Sequence, residues 1–130
     1  MRILLDTHAM MWYVLGDPRL TAIARELVRD ESNEVLISPA SYWEIAIKIS
    51  VGKYTLNQPY DDFMNVCLNL YGFVILPIET HHTSQVARLP HFNNHKDPFD
   101  RMLVSQALSE GVPIVSADAQ LDAYGINRLW

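Results

Sequence analysis

Short apolar runs alternate with longer amphipathic segments along the chain. The apolar runs end at polar or turn residues, which is typical of strands buried in a sheet, and they lie at Ile3–Leu5, Val35–Ser38, Phe73–Leu76 and Ile114–Val115, with a marginal fifth at Ile126–Asn127. The spacing of apolar and capping residues predicts helices over His8–Leu15, Thr21–Asp30, Pro39–Ser50, Tyr60–Tyr71, Glu79–Leu89 and Asp97–Glu110. Strands that alternate with helices indicate a parallel sheet covered on both faces. We therefore predict the α/β class, with three α/β/α layers around a central parallel sheet of four to five strands.

Length and composition restrict how the chain is organised. Its 130 residues, 49% of them hydrophobic, suit one domain spanning residues 1–130, because a chain of this size can bury a core without disulfide or metal support. The single cysteine, Cys67, cannot form an internal disulfide. No apolar stretch approaches the roughly 20 residues that cross a bilayer, and Asp6 interrupts the N-terminal apolar run before a signal peptide could form. We expect a cytoplasmic protein with no membrane segment.

Acidic residues follow the predicted strands or occupy the helices beside them. Asp6 closes the first strand, and Asp118 lies just beyond the fourth. Glu44 is one turn into the helix after the second strand, while Asp97 and Asp100 begin the helix before the fourth and share one face of it. In doubly wound sheets, ligands bind beyond the carboxyl ends of the strands. We expect these segments to bring their carboxylates to one place.

A group of like charges is costly unless a cation neutralises it, since each carboxylate raises the pKa of its neighbours. Carboxylate oxygens favour Mg²⁺ or Mn²⁺, and no set of Cys or His residues has the spacing of a zinc site. A magnesium or manganese ion can activate a water and stabilise charge on a phosphodiester in transit. The residues therefore predict metal-dependent phosphodiester hydrolysis.

The net charge bears on how nucleic acid would bind. Fifteen acidic residues exceed ten basic ones, for a formal charge of −5, which excludes binding by bulk positive potential. Ten acidic residues remain when the five named above are set aside, so the excess acidity belongs to one site. Any nucleic acid would then be received through the divalent metal, with modest help from Lys48, Lys96 and Arg101.

Four segments resemble the acidic motifs of PIN domains, in the VapC-like toxin branch of type II toxin–antitoxin systems. They are Leu4–His8, Tyr42–Lys48, His95–Ala107 and Val115–Asp118, and the resemblance covers the whole chain. It implies the α/β/α PIN fold and a Mg²⁺- or Mn²⁺-dependent endoribonuclease that hydrolyses RNA phosphodiester bonds. It also implies a homodimer and a cognate antitoxin protein that silences the enzyme.

The resemblance assigns four catalytic acids. Asp6 and Asp100 match the two carboxylates most directly associated with the metal in that family, and Glu44 and Asp118 complete the quartet. The metal ligands implied in this way are Asp6, Asp100 and Asp118.

Four further residues are expected beside the ligands. Thr7 and Ser116 match the family's small hydroxyl residues next to the first and last acids, where they could hydrogen-bond a carboxylate or a metal-bound water. Asp97 belongs to the strongest motif, Asp97–Arg101, and is expected to support the ligands without being one of them. Arg101 could contact RNA or the antitoxin, or could pair with the neighbouring carboxylates and hold them in place.

Each acid also has a plainer explanation. Asp6, Asp97 and Asp118 could cap the helices that follow them, and Glu44 could simply pair with Lys48 one helical turn away. Asp100 could simply occupy the first turn of its helix, near the positive end of the helix dipole. Those explanations predict stable helix ends and no metal.

The histidines are interpreted as solvated or hydrogen-bonded. His81 and His82 are adjacent and should point apart on a helix, whereas His91 and His95 lie in a polar loop. We expect no metal site from them.

A different function remains open as the alternative, namely aspartate-based phosphate transfer by a phosphatase or receiver domain of similar topology. Asp6 would then be the phosphorylated nucleophile. Such a phosphatase usually pairs two aspartates two residues apart, but His8 occupies the second position here. A receiver domain would need an acidic pair by the first strand, which is also missing.

Overall fold

The first strand lies at the centre of a parallel sheet. The computed structural model describes residues 1–130 and contains five strands, β1 (Arg2–Leu5), β2 (Glu34–Ile37), β3 (Val74–Ile75), β4 (Ile114–Val115) and β5 (Arg128–Leu129). All neighbours are parallel, in the order β3-β2-β1-β4-β5. Leu4 of β1 lies beside Leu36 on one side and beside Ile114 on the other. The predicted parallel sheet is confirmed.

Six α-helices connect the strands and begin where the sequence supplies caps. They are α1 (Thr7–Leu15), α2 (Ala22–Arg29), α3 (Pro39–Ser50), α4 (Tyr60–Asn65), α5 (Thr80–Arg88) and α6 (Pro98–Glu110). The side chain of Thr21 accepts the Ala24 N–H at the start of α2, and that of Ser38 accepts the Ala40 N–H at the start of α3. Gly111 ends α6 with a φ of 65°, a conformation that favours glycine.

Apolar layers enclose both faces of the sheet. On one face, Ile3 and Leu5 pack in a buried cluster with residues of α1, α2, α3 and α4. On the other face, Leu4 and Leu36 pack with Leu103 of α6 and its neighbours. Because successive side chains of a strand point to opposite faces, β1 is apolar at every position from Ile3 to Leu5. The three-layer α/β/α prediction is confirmed.

The fifth strand lies two residues later than predicted. It is Arg128–Leu129 and not Ile126–Asn127. Ile126 packs against the apolar cluster on the α6 side of the sheet, and pairing starts where the Asn127 carbonyl accepts the Ile114 N–H at 2.9 Å. The apolar signal came from a core contact that precedes the strand.

The predicted helix Tyr60–Tyr71 changes type within its length. After α4 comes a π-helical turn, Val66–Leu70, in which the Tyr71 N–H donates to the Val66 carbonyl at 3.0 Å. Gly72 follows with a φ of 68° and ends the segment, as predicted. Apolar spacing over one turn does not separate the two helix types.

The strand order reverses between β1 and β4. Strands β2 and β3 follow β1 on one side of the sheet, whereas β4 and β5 lie on the other. The loops that leave the carboxyl ends of β1 and β4 therefore diverge at this point and open a crevice, which is where doubly wound sheets bind ligands. None of the helices combines the length and apolar character needed to cross a bilayer.

Candidate metal centre

Asp6 and Asp118 follow the two strands that flank the crevice. Asp6 comes directly after β1, and its Oδ1 accepts the Ala9 N–H at 2.7 Å, which caps α1. Asp118 follows β4, and its Oδ1 accepts the Gln120 N–H at 3.0 Å at the start of a 3-10 turn, Ala119–Tyr124. Both acids are helix caps, as the plainer explanation expected. Each of these capping bonds uses one carboxylate oxygen.

Asp6 is buried at the end of β1. It is 8% exposed, and burial raises the pKa of its carboxyl, although hydrogen bonds from the Ser116 side chain and the Ala9 N–H oppose that shift. The charge of Asp118 raises the pKa of Asp6 further. Ser116 is fully buried, and its Oγ accepts the Asp118 N–H at 3.0 Å. The Asp6 N–H donates to the Val115 carbonyl at 3.1 Å, which joins Asp6 to the end of β4.

The start of α6 supplies two carboxylates in different settings. Oδ1 of Asp97 accepts the N–H groups of Phe99 and Asp100 at 2.9 and 3.0 Å, so Asp97 caps the helix, with Pro98 at its first position. Asp100 lies within the first turn. Burial, together with the charges of Asp97 and Asp118, raises the pKa of Asp100 to about 6. The surroundings of Asp100 therefore disfavour the charged form of its carboxyl.

His95 contacts Asp100, although a polar loop had not indicated a site residue. The histidine is 9% exposed. Its Nε2 lies 3.1 Å from Oδ2 of Asp100, and its Nδ1 lies 2.6 Å from the hydroxyl of Tyr124. Its position five residues before an expected ligand is the one sequence signal that could have identified it.

Thr7 and Lys48 fix both oxygens of Glu44. The Thr7 hydroxyl donates to Oε1 at 2.6 Å, and the Lys48 ammonium donates to Oε2 at 2.7 Å. Lys48 also donates to the Tyr54 hydroxyl at 3.3 Å, and the same hydroxyl lies 3.3 Å from Nε2 of His8. The hydrogen bond with Glu44 raises the pKa of Lys48. The Glu44–Lys48 pair that the plainer explanation expected is formed, and Thr7 bonds a carboxylate as expected.

Arg101 has a role that neither sequence alternative described. It is 6% exposed. Its guanidinium donates to the carbonyls of Leu89 and Pro90 at 2.8 and 2.9 Å, and to the Tyr124 hydroxyl at 3.4 Å. These donors are directed at carbonyls and a phenol. Arg101 does not form the ion pair with the neighbouring carboxylates that one of the two alternatives predicted. Burial also withdraws Arg101 from the surface that would meet RNA or an antitoxin.

The converging side chains form a donor set rich in oxygen. One atom each from His95, Asp100 and Asp118 lies within 4.8 Å of the other two. Asp6 interacts electrostatically with Asp118 and, like Asp100, has a raised pKa. Bound cations relieve such repulsion, and carboxylate donors suit Mg²⁺ or Mn²⁺. The residues present therefore fit a hard divalent ion.

A second cluster joins α5 to the end of α6. Nε2 of His81 and of His82 lie 3.2 and 3.0 Å from Oε2 of Glu110, so the expectation that these histidines point apart is wrong. Nδ1 of His82 accepts the Glu79 N–H at 2.9 Å, which places the proton of the neutral ring on Nε2. A protonated Nε2 cannot bind a metal. The cluster is a hydrogen-bonded connection between the two helices.

Fold and site together define a class of protein, a doubly wound α/β/α domain with carboxylates gathered beyond the strands at the point where their order reverses. The chain belongs to the PIN domain family, whose model matches residues 3–127. That range contains every acid discussed above, from Asp6 to Asp118. Among curated proteins, none matches the chain.

Several solved structures share this fold. A chain of the VapBC2 complex of Rickettsia felis, bound to a DNA fragment from its promoter, is 16% identical with a TM-score of 0.69, covering 99% of this chain and 98% of that one. For DNA-bound VapBC of Salmonella typhimurium the identity is 18% and the TM-score 0.69, covering 99% and 97%. The sarcin-ricin loop cleaving toxin VapC20 of Mycobacterium tuberculosis is 17% identical with a TM-score of 0.62, covering 95% of each chain.

Proposed function

We propose that this chain is a Mg²⁺- or Mn²⁺-dependent endoribonuclease that hydrolyses RNA phosphodiester bonds and acts as the toxin of a toxin–antitoxin pair. The observation that carries this proposal is the convergence of carboxylates from β1, α6 and the loop after β4. Membership of the PIN family supports it. The sarcin-ricin loop cleaving toxin VapC20 and the two VapBC complexes, which share the fold, support the substrate and the toxin role.

Asp6, Asp100 and Asp118 are the residues that would hold the metal. A bound divalent ion supplies an activated water and stabilises charge on the phosphodiester. Glu44 is the fourth catalytic acid of the proposal. Thr7 holds its Oε1 and Lys48 its Oε2, so the Glu44 carboxylate is kept in one orientation.

Three further residues have supporting roles in the proposal. Asp97 caps the helix that carries Asp100 and adds negative charge beside it. Ser116 lowers the pKa of Asp6 through its side chain, and its Oγ accepts the Asp118 N–H. Arg101 acts indirectly, by fixing the loop that precedes α6.

The proposed partners are RNA, a cognate antitoxin protein and a second copy of the chain. Exposed apolar side chains are available for protein contacts: Ile23 on α2 is 64% exposed and Trp43 on α3 is 61% exposed. Sedimentation of the chain, alone and with the product of a small neighbouring upstream frame, tests both protein partners. A monomer that does not bind that product would contradict them.

Cleavage of RNA tests the activity. We expect cleavage with Mg²⁺ or Mn²⁺, none with a chelator, and none for Asp6→Ala with the ion present. Asp61→Asn is a suitable control, because Asp61 is an exposed acid on α4 that belongs to no part of the site, and it should cleave like wild type. Cleavage that survives Asp6→Ala would reject the proposal.

Aspartate-based phosphate transfer gains no support from the site. His8 stands where the second aspartate of such a phosphatase would be. Incubation with a phosphate donor followed by intact-mass measurement distinguishes the two chemistries. A phosphorylated chain would favour the alternative.

A further inference from the structure

A chain of hydrogen bonds leads from Arg101 to Asp100. The guanidinium of Arg101 donates to the Tyr124 hydroxyl at 3.4 Å, and this hydroxyl lies 2.6 Å from Nδ1 of His95. On the other side of the ring, Nε2 of His95 lies 3.1 Å from Oδ2 of Asp100. Arg101, Tyr124 and His95 are each less than a tenth exposed. Which atom donates and which accepts in each of these hydrogen bonds therefore follows from the donors and acceptors that each group has.

The Tyr124 hydroxyl has one proton to donate. Arg101 has only donors, so it cannot accept that proton. The acceptor among the hydrogen-bond partners of the hydroxyl is Nδ1 of His95. If Nδ1 accepts, the proton of the neutral ring is on Nε2. The Nε2–H group then donates to Oδ2 of Asp100.

We propose that His95 is a positioning residue for Asp100 and does not coordinate the metal. Its Nε2–H holds one oxygen of the Asp100 carboxylate and leaves the other oxygen for the ion. Tyr124 sets the tautomer of the ring, and Arg101 fixes Tyr124. This inference rests on the proposed function, because it takes Asp100 as a metal ligand.

Distance alone would also allow His95 to be a nitrogen ligand. Two ligands at right angles on an ion that is about 2.1 Å from each lie about 3 Å apart, close to the 3.1 Å between Nε2 and Oδ2. Coordination through Nε2 would require the proton on Nδ1. The Tyr124 hydroxyl would then face two donors and lose its acceptor, which is costly because Tyr124 is only 8% exposed. The distance permits His95 either to donate to Asp100 or to bind the metal, and the position of the ring proton decides for donation.

The Arg101 contacts also explain how the ring is held in place. Arg101 donates to the carbonyls of Leu89 and Pro90, at the beginning of the loop that ends in His95. One guanidinium therefore fixes both the loop and the hydroxyl that orients the ring. The position of Asp100 therefore depends on α6 itself, on the loop before it and on Tyr124.

The first test examines the metal-free protein, so it does not depend on nuclease activity. Protonated and unprotonated histidine ring nitrogens are distinguished by ¹⁵N NMR, and loss of a signal in His95→Gln assigns the His95 ring. We expect the proton on Nε2 in wild type, and a loss of this preference in Tyr124→Phe, which removes the donor to Nδ1. A wild-type ring protonated on Nδ1 would overturn the inference.

The second test uses Mn²⁺ as the probe. Calorimetry of His95→Ala should show affinity for Mn²⁺ lowered about 10- to 100-fold, the usual cost of removing a group that orients a ligand. His95→Gln should recover part of the affinity, since its amide can donate to Asp100. His91→Gln, an exposed histidine of the same loop, should bind like wild type.

Pulsed EPR of the Mn²⁺-loaded wild-type protein completes the test. We expect no nitrogen coordinated directly to the ion. A directly coordinated histidine nitrogen that disappears in His95→Gln, or unchanged Mn²⁺ affinity in His95→Ala, would overturn the positioning role. Failure of the wild-type protein to bind Mn²⁺ or cleave RNA would instead reject the proposed function, and the tautomer measurement would still decide the hydrogen-bond chain.

Discussion

At the residue scale, side chains that cap helices also belong to the candidate site. Asp6, Asp97 and Asp118 each accept a backbone N–H at a helix start through Oδ1. The sequence posed capping and metal binding as alternatives. A carboxylate has two oxygens, so one residue can do both. This explains why a helix-start pattern and an acidic motif coincide at the same positions.

Local spacing made the acids predictable but left their neighbours undetected. The positions of Asp6 and Asp118 follow from where apolar strands end, which a short window of sequence shows. The contacts of His95 and Arg101 depend on Tyr124, which is 29 and 23 residues away along the chain. No periodicity links residues so far apart. Their roles appear only once the loop before α6 is placed.

Removing the Asp100 charge should not destabilise the metal-free protein at neutral pH. The folded pKa of about 6 exceeds the ordinary 3.8, so the native carboxyl binds its proton more tightly than the unfolded one. Stability is therefore lost as pH rises from about 4 to about 6, and the loss stays constant above this range. Asp100→Asn lacks this loss. Urea denaturation across this range should show that the free energy of unfolding of Asp100→Asn, relative to that of wild type, increases up to about pH 6.

Magnesium provides the matching measurement. An ion at about 100 times its dissociation constant should stabilise wild type by about 2.7 kcal/mol. Asp100→Asn should show little or no rise in melting temperature under the same conditions. A metal-free Asp100→Asn protein that melts well below wild type would show that this carboxylate is structural instead.

At the scale of elements, strand positions were more predictable than the faces of the helices. Strands β1 to β4 overlap the predicted apolar runs; the apolar residues of β1, β2 and β4 are buried, whereas both residues of the edge strand β3 are exposed. Helix α3 is different: Ile45 is fully buried, whereas Trp43 and Ile47 are 61% and 37% exposed. The apolar surface of α3 is wider than the part that the core covers. Apolar content therefore predicted the helix without predicting which side chains it buries.

Arg101 should contribute substantially to stability through the loop it holds. Arg101→Met keeps much of the side-chain volume but leaves the Leu89 and Pro90 carbonyls without their donor. We expect the free energy of unfolding to fall by about 3–6 kcal/mol, since each of the two bonds to a charged donor contributes about 1.5–3 kcal/mol. Urea denaturation measures the change. Arg88→Met, at an exposed arginine of α5, is the control, and an equally small effect at both positions would contradict the role of Arg101.

At the scale of the whole molecule, the positive charges near the site are already engaged. Lys48 is paired with Glu44, and Arg101 is buried against main-chain carbonyls. Of the three cations expected to help with RNA, the exposed Lys96 is the one left at the surface. Charge alone therefore gives the crevice little attraction for phosphate. A bound divalent ion has to supply most of it.

Binding of RNA should accordingly depend on metal before any cleavage occurs. An RNA analogue with non-hydrolysable linkages is expected to show no binding in chelator at physiological salt, and to bind when Mg²⁺ or Mn²⁺ is added. Each lysine or arginine contact to a single-stranded phosphate contributes about −0.7 to the slope of log affinity against log salt. Because Lys96 is the exposed residue among those three cations, we expect a slope near that of one contact, and a shallower one for Lys96→Gln. Asp100→Asn should lose the response to the ion. Tight binding in chelator, or a slope steeper than about −3, would require several more phosphate contacts than the exposed cations beside the site provide.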